Sequence, residues 1–315
     1  MVESTEKGNK KQDDIAGGFF DDSDSEEEKK EEETKSRIMY PASEGIKTKY
    51  DILSAGADEY TKKVWEEEQN KLKLKVETDD RHDWVLDTAN PDNTTLQRIA
   101  AVDISYSKTN GQNGIAYIVI MAFPTMEVLY EDSQKETTAY PYLPGFLAFK
   151  EVPSYTILFD RLKANRPDLW PDLLMVDGNG LLHTRSCGVA CHVGVLFDIP
   201  SIGVGKTVFA VDGLSQKGVK ELAKANLHAG GDSVELVGTS GQVWGAALRA
   251  TDDAPTPLIV SIGHRVSLET ALAVTQACIG EFRIPEPIRQ ADLRSRAVVR
   301  ETYDKPEPKG KKKKK

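Results

Sequence analysis

Three apolar runs in this chain meet a carboxylate where a β-strand should leave the core, and a fourth meets an imidazole. They are Ala100-Ala101-Val102-Asp103-Ile104-Ser105-Tyr106, Phe149-Lys150-Glu151, Leu173-Leu174-Met175-Val176-Asp177 and Ser261-Ile262-Gly263-His264-Arg265. A carboxylate inside a sheet is costly unless it reaches water, a hydrogen-bond donor or a metal ion. Strands lying side by side can gather Asp103, Glu151 and Asp177 at one edge, which is how oxygen ligands for Mg²⁺ are assembled. The pattern points to metal-dependent cleavage of phosphodiesters. The plainer reading of any one of these acids is a strand-end cap or a partner for Arg or Lys.

The 315 residues are 39% hydrophobic, enough for one packed domain. No stretch approaches the ~18 to 20 apolar residues of a membrane span, so no membrane is expected as a partner. The start, Met1-Val2-Glu3-Ser4-Thr5-Glu6-Lys7, lacks the apolar core of a secretion signal. Cys187, Cys191 and Cys278 are an odd set in apolar surroundings, which predicts a reducing compartment: cytoplasm, nucleus or nucleolus, without secretion. Cys187, Cys191 and His192 have no second ligand pair at zinc spacing, so core packing is expected of the two thiols.

Charge is unevenly spread. Residues 1–36 hold 13 Asp/Glu against 6 Lys, and residues 305–315 hold 7 Lys against one Glu. Removing these tails (−7 and +6) from the net −9 leaves −8 for the residues between them. Such a body does not attract nucleic acid at long range, so any contact must be local.

Residues 1–50 read as a disordered acidic tail, 55–300 as the folded domain, and 301–315 as a disordered lysine-rich tail. An apolar stripe predicts a helix over residues 58–77. Leu96–Ser105, Ile115–Ala122 and Met126–Glu131 read as an antiparallel meander. A helix from Pro153 to Asn165, a buried strand Leu173–Val176, a helix Cys187–Phe197 and a strand Pro200–Val204 imply a parallel crossover. Val234–Val237, Gln242–Arg249 and Leu258–Ser261 suggest further strands, and Ser267–Cys278 a helix. That order is ribonuclease H-like: an α/β fold with a mixed five-stranded central sheet flanked by helices, plus additional small strands.

Several local motifs follow one another in order over residues 60–300. They are Val102-Asp103-Ile104-Ser105-Tyr106, Pro141-Tyr142-Leu143-Pro144-Gly145-Phe146-Leu147-Ala148-Phe149-Lys150-Glu151 and Val176-Asp177-Gly178-Asn179-Gly180 with His183. Gly188-Val189-Ala190-Cys191-His192, Ile202-Gly203-Val204-Gly205-Lys206 and Gly263-His264-Arg265-Val266-Ser267-Leu268-Glu269 follow. Together these motifs resemble the endonuclease V family, and the stretch from Phe282 to Asp292 is similar to its eukaryotic branch. The chain departs from the family pattern at Gly205 and at Thr184-Arg185-Ser186-Cys187.

The resemblance implies that Asp103, Glu151 and Asp177 ligate catalytic Mg²⁺, with Mn²⁺ as a substitute, and that His264 stands beside the metal. It also implies that Lys206 meets a phosphate. Pro141-Tyr142-Leu143-Pro144 reads as a stiff wedge whose aromatic ring fills the gap left by an extruded base. Gly145, Leu147, Gly178, Gly180, His183 and Val189 are expected to line the pocket for that base. The implied reaction is hydrolysis of the second phosphodiester 3′ to inosine, leaving a 3′-hydroxyl and a 5′-phosphate. The expected substrate is inosine-containing single-stranded RNA, with deoxyinosine DNA as the alternative. A monomer is expected, with tails that recruit protein partners. A non-catalytic inosine reader is the competing class, but it has no use for a costly acidic cluster.

Overall fold

The computed structural model describes residues 59–136, 143–254 and 256–305. Its strands are β1 (Arg98–Tyr106), β2 (Gly114–Ala122), β3 (Val128–Lys135), β4 (Leu173–Val176) and β5 (Ser201–Gly205). After these come β6 (Ser233–Val237), β7 (Val243–Leu248) and β8 (Leu258–His264). The helices are α1 (Glu59–Lys73), α2 (Leu147–Asn165), α3 (Val189–Phe197), α4 (Gln216–Asn226), α5 (Leu268–Ala277) and α6 (Glu286–Thr302). All eight strands form one sheet in the order β3-β2-β1-β4-β5-β8-β7-β6.

The meander and the crossover are both present: β1 pairs antiparallel with β2 and parallel with β4, and β4 runs parallel with β5. The expected five-stranded sheet with separate small strands is instead a single eight-stranded sheet. β8 continues past Ser261 to His264 and pairs antiparallel with β5 along its length, which joins β6 and β7 to the central strands.

Strand periodicity of two explains the two-sided core. Ile99, Ala101, Leu173, Met175, Ile202 and Val204 face one side, where they pack with Val274 of α5 and Ile288 and Ala291 of α6. Ala100, Val102, Leu174 and Val176 face the other, against α2 and α3. Burial of both faces accounts for the near-continuous apolar character of β4 and β5. Among the described residues, no helix is long and apolar enough to cross a membrane.

Helix α2 begins at Leu147, six residues before the Pro153 start expected from sequence. Ala148, Val152, Tyr155, Phe159 and Leu162 form its buried stripe at helical spacing, and burial of that stripe outweighs the lost N–H of Pro153. Glu151 therefore lies on a helix rather than at a strand end.

Candidate active site

The carboxylates converge from three elements at the edge where β4 and β5 end, beside the later part of β1. Val102 and Val176 are register partners, so Asp103 within β1 lies beside Asp177, which follows β4. Asp103 is not at a strand end, since β1 continues to Tyr106. Its side chain accepts hydrogen bonds from Ser295 Oγ of α6 at 2.7 Å and from Ser105 Oγ at 3.4 Å. Burial pushes the Asp103 carboxyl up to about 6; the Ser295 hydrogen bond opposes this, and the charges of Asp177 and Asp292 add to it. Glu151 is buried in the first turns of α2, where Tyr155 OH donates to its Oε2 at 3.2 Å. Burial, then the Asp103 charge, pushes it up to about 8, with Asp177 contributing in the same direction. Lys206, just after β5, donates from Nζ to Asp177 Oδ2 at 2.6 Å.

The three acids thus share one electrostatic neighbourhood, yet they do not close into a cage. Among the described residues, no three His, Cys, Asp or Glu side chains are grouped to hold an ion. One reason is visible in the hydrogen bonds: Ser295, Tyr155 and Lys206 each take one carboxylate. The donor set is oxygen-only, which suits a hard divalent cation, and the carboxyls of Asp103 and Glu151 are raised first by burial and then by neighbouring charge.

His264 does not join this group. It ends β8, and its register partner is Ser201, the first residue of β5. Because β8 runs antiparallel to β5, His264 lies at the far end of the sheet. Two strand spacings across and three residues along put it about 14 Å from Asp177. Its Nδ1 accepts from Glu77 N–H at 3.2 Å, and burial together with the Arg265 charge holds it below its ordinary pKa. The sequence reading missed Asp292, whose charge does reach Asp103. It shares α6 with Ser295, and the only available signal was its place in the Phe282-to-Asp292 motif.

A cleft of about 340 Å³ opens beside the carboxylates. Its lining includes Asp177 and Lys206 together with Gly145, Leu147, Gly178, His183 and Val189. Gly178 leaves the space that Val189 Cγ1 occupies. Gly180 does not line the cleft. It is buried against the Ile262 carbonyl, where any Cβ would clash, and its N–H donates to Ser261 Oγ at 2.8 Å. Leu143 packs with Trp65, Phe146 and Phe149, and Pro144 is exposed. Pro141 and Tyr142, half of the wedge, lie outside the described residues.

Residues not expected from sequence in the lining also contribute, among them Gln69, Asn179, Thr207 and Phe209. Gln69 of α1 is buried and donates to the carbonyls of Gly145 (3.1 Å) and Cys187 (2.9 Å). It also accepts from Arg185 Nε, while Arg185 donates to the same Gly145 carbonyl and lies 4.1 Å over the Phe146 ring. His183 Nδ1 accepts from Arg185 N–H at 3.2 Å, so the neutral ring carries its proton on Nε2. Asn179 Nδ2 donates to the Thr207 carbonyl, whereas its buried Oδ1 has no hydrogen-bond partner among the described residues.

Comparison with known proteins agrees with this fold. Residues 81–293 match the Endonuclease V family model. Mus musculus Endonuclease V is 46% identical over 244 residues, covering 78% of this chain and 71% of the mouse protein. Homo sapiens Endonuclease V is 44% identical over 255 residues, covering 81% of this chain and 89% of the human protein. The crystal structure of the human catalytic domain superposes with a TM-score of 0.74 at 43% identity, covering 79% of this chain and all of that one. A Ciona intestinalis Endonuclease V, solved with a 23mer DNA containing an inosine followed by a ribo-adenosine, has a TM-score of 0.68. It is 30% identical and covers 78% of this chain and 99% of that one. Fold, site and these likenesses together define a nuclease, a hydrolytic enzyme of the α/β class. Within that class, the chain belongs to the endonuclease V family.

Proposed function

We propose that this protein is a Mg²⁺-dependent endonuclease that hydrolyses the second phosphodiester 3′ to inosine in single-stranded RNA, leaving a 3′-hydroxyl and a 5′-phosphate. The observation that carries the reading is the junction of a base-sized cleft with the acidic edge through Asp177 and Lys206. Asp103, Glu151 and Asp177 would hold the ion. When bound, it would supply Lewis acidity toward the phosphate and a lowered pKa for water.

The remaining work falls to the chain's own groups. Lys206 offers a cation to a phosphate entering beside Asp177. The first turn of α2 has no side-chain cap, so N–H donors remain beside Leu147 and Ala148 in the cleft wall. The base of inosine carries an O6 acceptor and an N1–H donor; adenine reverses both. A cleft that offers N–H groups to O6 and the unpartnered Asn179 Oδ1 to N1–H would leave adenine's polar atoms unpaired. Neutral His183, fixed by Arg185, keeps positive charge away from that base.

A second reading, cleavage at deoxyinosine in DNA, is favoured by the inosine-containing DNA bound to the Ciona relative. Single-turnover cleavage of matched inosine RNA, deoxyinosine DNA and adenosine controls, in Mg²⁺ and in EDTA, separates these. Fastest cutting of inosine RNA is expected, with Asp177→Asn slower by about 10²-fold or more. Faster cutting of the DNA would reverse the order, and equal cutting of adenosine strands or undiminished cutting in EDTA would end the proposal.

A further inference from the structure

A second concavity, of about 470 Å³, is separate from the cleft and contains no carboxylate in its lining. Three of its eight lining residues are cations: Lys220 and Lys224, one turn apart on α4, and Arg249 just after β7. Its floor is apolar, with Ala223, Leu227 and Ala254 buried. Arg249 is held in place by donating to the carbonyls of Leu227, Thr251 and Asp252. Lys220 and Lys224 are exposed, and among the described residues neither has an ion-pair partner. Glu221, the nearest acid on α4, pairs with Lys217 instead.

Its location follows from strand register. β8 runs antiparallel to β5 and β7 antiparallel to β8, so Arg249 after β7 and Pro257 before β8 lie at the edge where Asp177 and Lys206 emerge. Three strand spacings across and about three residues along put Arg249 roughly 17 Å from Asp177. The two concavities also flank one apolar cluster. Leu182 and Val208, neighbours in sequence of the cleft residues His183, Thr207 and Phe209, pack there with Val219, Ala223 and Leu227 of α4.

We infer that this basic groove binds the phosphodiester backbone of the nucleic acid several nucleotides away from the phosphate at the acidic edge. The chain between its two charged tails is net −8, so general attraction cannot supply this contact. A local cationic groove on the same edge as the cleft can. The reach of about 17 Å equals roughly five phosphate spacings of a stacked strand. This role rests on the nuclease reading for its substrate, although not on inosine preference.

The test compares the full-length protein with Lys220→Ala/Lys224→Ala, using single-stranded RNA lengthened stepwise on one flank of a central inosine and then on the other. A parallel set carries adenosine instead. Dissociation constants are measured by anisotropy across salt concentrations, and cleavage is followed on the shortest substrate that is cut. The wild type should tighten at one step in length on one flank. The variant should lack that step, with its log–log salt slope shallower by about 1.4 on long strands. Cleavage of the shortest substrate should be unchanged. Lys220→Arg/Lys224→Arg should restore both the step and the slope, and an unchanged thermal midpoint excludes misfolding. Equal tightening with length in wild type and alanine variant, or equal slopes, overturns the inference. Absence of inosine preference in the wild type defeats the functional proposal alone, because the groove is read equally from the adenosine strands.

Discussion

His183 and His192 are both kept neutral chiefly by burial, and both leave a signature in stability. Burial and the Arg185 charge hold His183 at about 4, and burial holds His192 at about 4, against an ordinary 6.5. Both shifts are downward, so between about pH 6.5 and 4 the unfolded chain binds more protons than the folded one. The stability these two contribute is complete above pH 6.5 and is lost as pH falls toward 4. Urea midpoints measured from pH 7 to 4.5 should therefore fall in the wild type and fall less steeply in His183→Gln and in His192→Gln. A slope that neither substitution changes would show that these rings do not set it. His264 and Asp292 offer a sharper contrast. His264→Ala removes the acceptor for a backbone N–H and should cost about 1–3 kcal/mol of stability while leaving kcat within about threefold. Asp292→Ala should do the reverse: little loss in the thermal midpoint, and kcat lower by at least about tenfold, because its charge acts on Asp103.

Helices carry the part of the site that was hardest to foresee. The apolar runs made β1, β2, β4 and β5 legible, and with them the neighbourhood of Asp103 and Asp177. The direction of β8 was not legible, because a histidine ending an apolar run looks the same whichever way the strand is laid in the sheet. Glu151 was found by motif but assigned to a strand, since Pro153 suggested a helix start while the stripe from Ala148 to Leu162 was overlooked. Neither α4 nor α6 was read as a helix; both are polar enough that only a narrow stripe, such as Ile288, Ala291, Ser295 and Val299, is buried. α1 was foreseen, but its purpose was not. It precedes the family match and still reaches the cleft through Gln69, while Trp65 stacks on Phe149 at 5.0 Å. Gln69→Leu strips donors from two carbonyls and should lower stability by about 2–3 kcal/mol. If α1 braces the cleft, the same variant should also reduce the ratio of inosine to adenosine binding by about tenfold, with affinity for unmodified RNA retained. Trp65→Ala should cost about 3 kcal/mol through lost packing. A Gln69→Leu protein that keeps its full binding ratio would confine α1 to a packing role.

Across the whole molecule, the acidic site is an assembly problem as much as a chemical one. Asp103, Glu151 and Asp177 come from a strand, a helix and a loop, and only the folded sheet brings their charges together. The fold tolerates this crowding by raising the carboxyls of Asp103 and Glu151 and by lending Ser295, Tyr155 and Lys206 as partners. A divalent cation bound by these oxygens would do the same task better, and the unfolded chain could not bind it comparably. Ligand binding to the native state alone raises stability by RT ln(1 + [L]/Kd), about 2.7 kcal/mol at a hundredfold excess over Kd. Adding Mg²⁺ to the EDTA-treated protein should therefore raise its thermal midpoint in a saturable way, with no nucleic acid present. Asp103→Asn and Asp177→Asn each lessen the repulsion, so their midpoints without metal should equal or exceed that of the wild type, yet Mg²⁺ should raise them far less. This opposition separates a metal site from an ordinary set of strand caps, for which the Asn variants would lose stability and Mg²⁺ would move all three proteins alike.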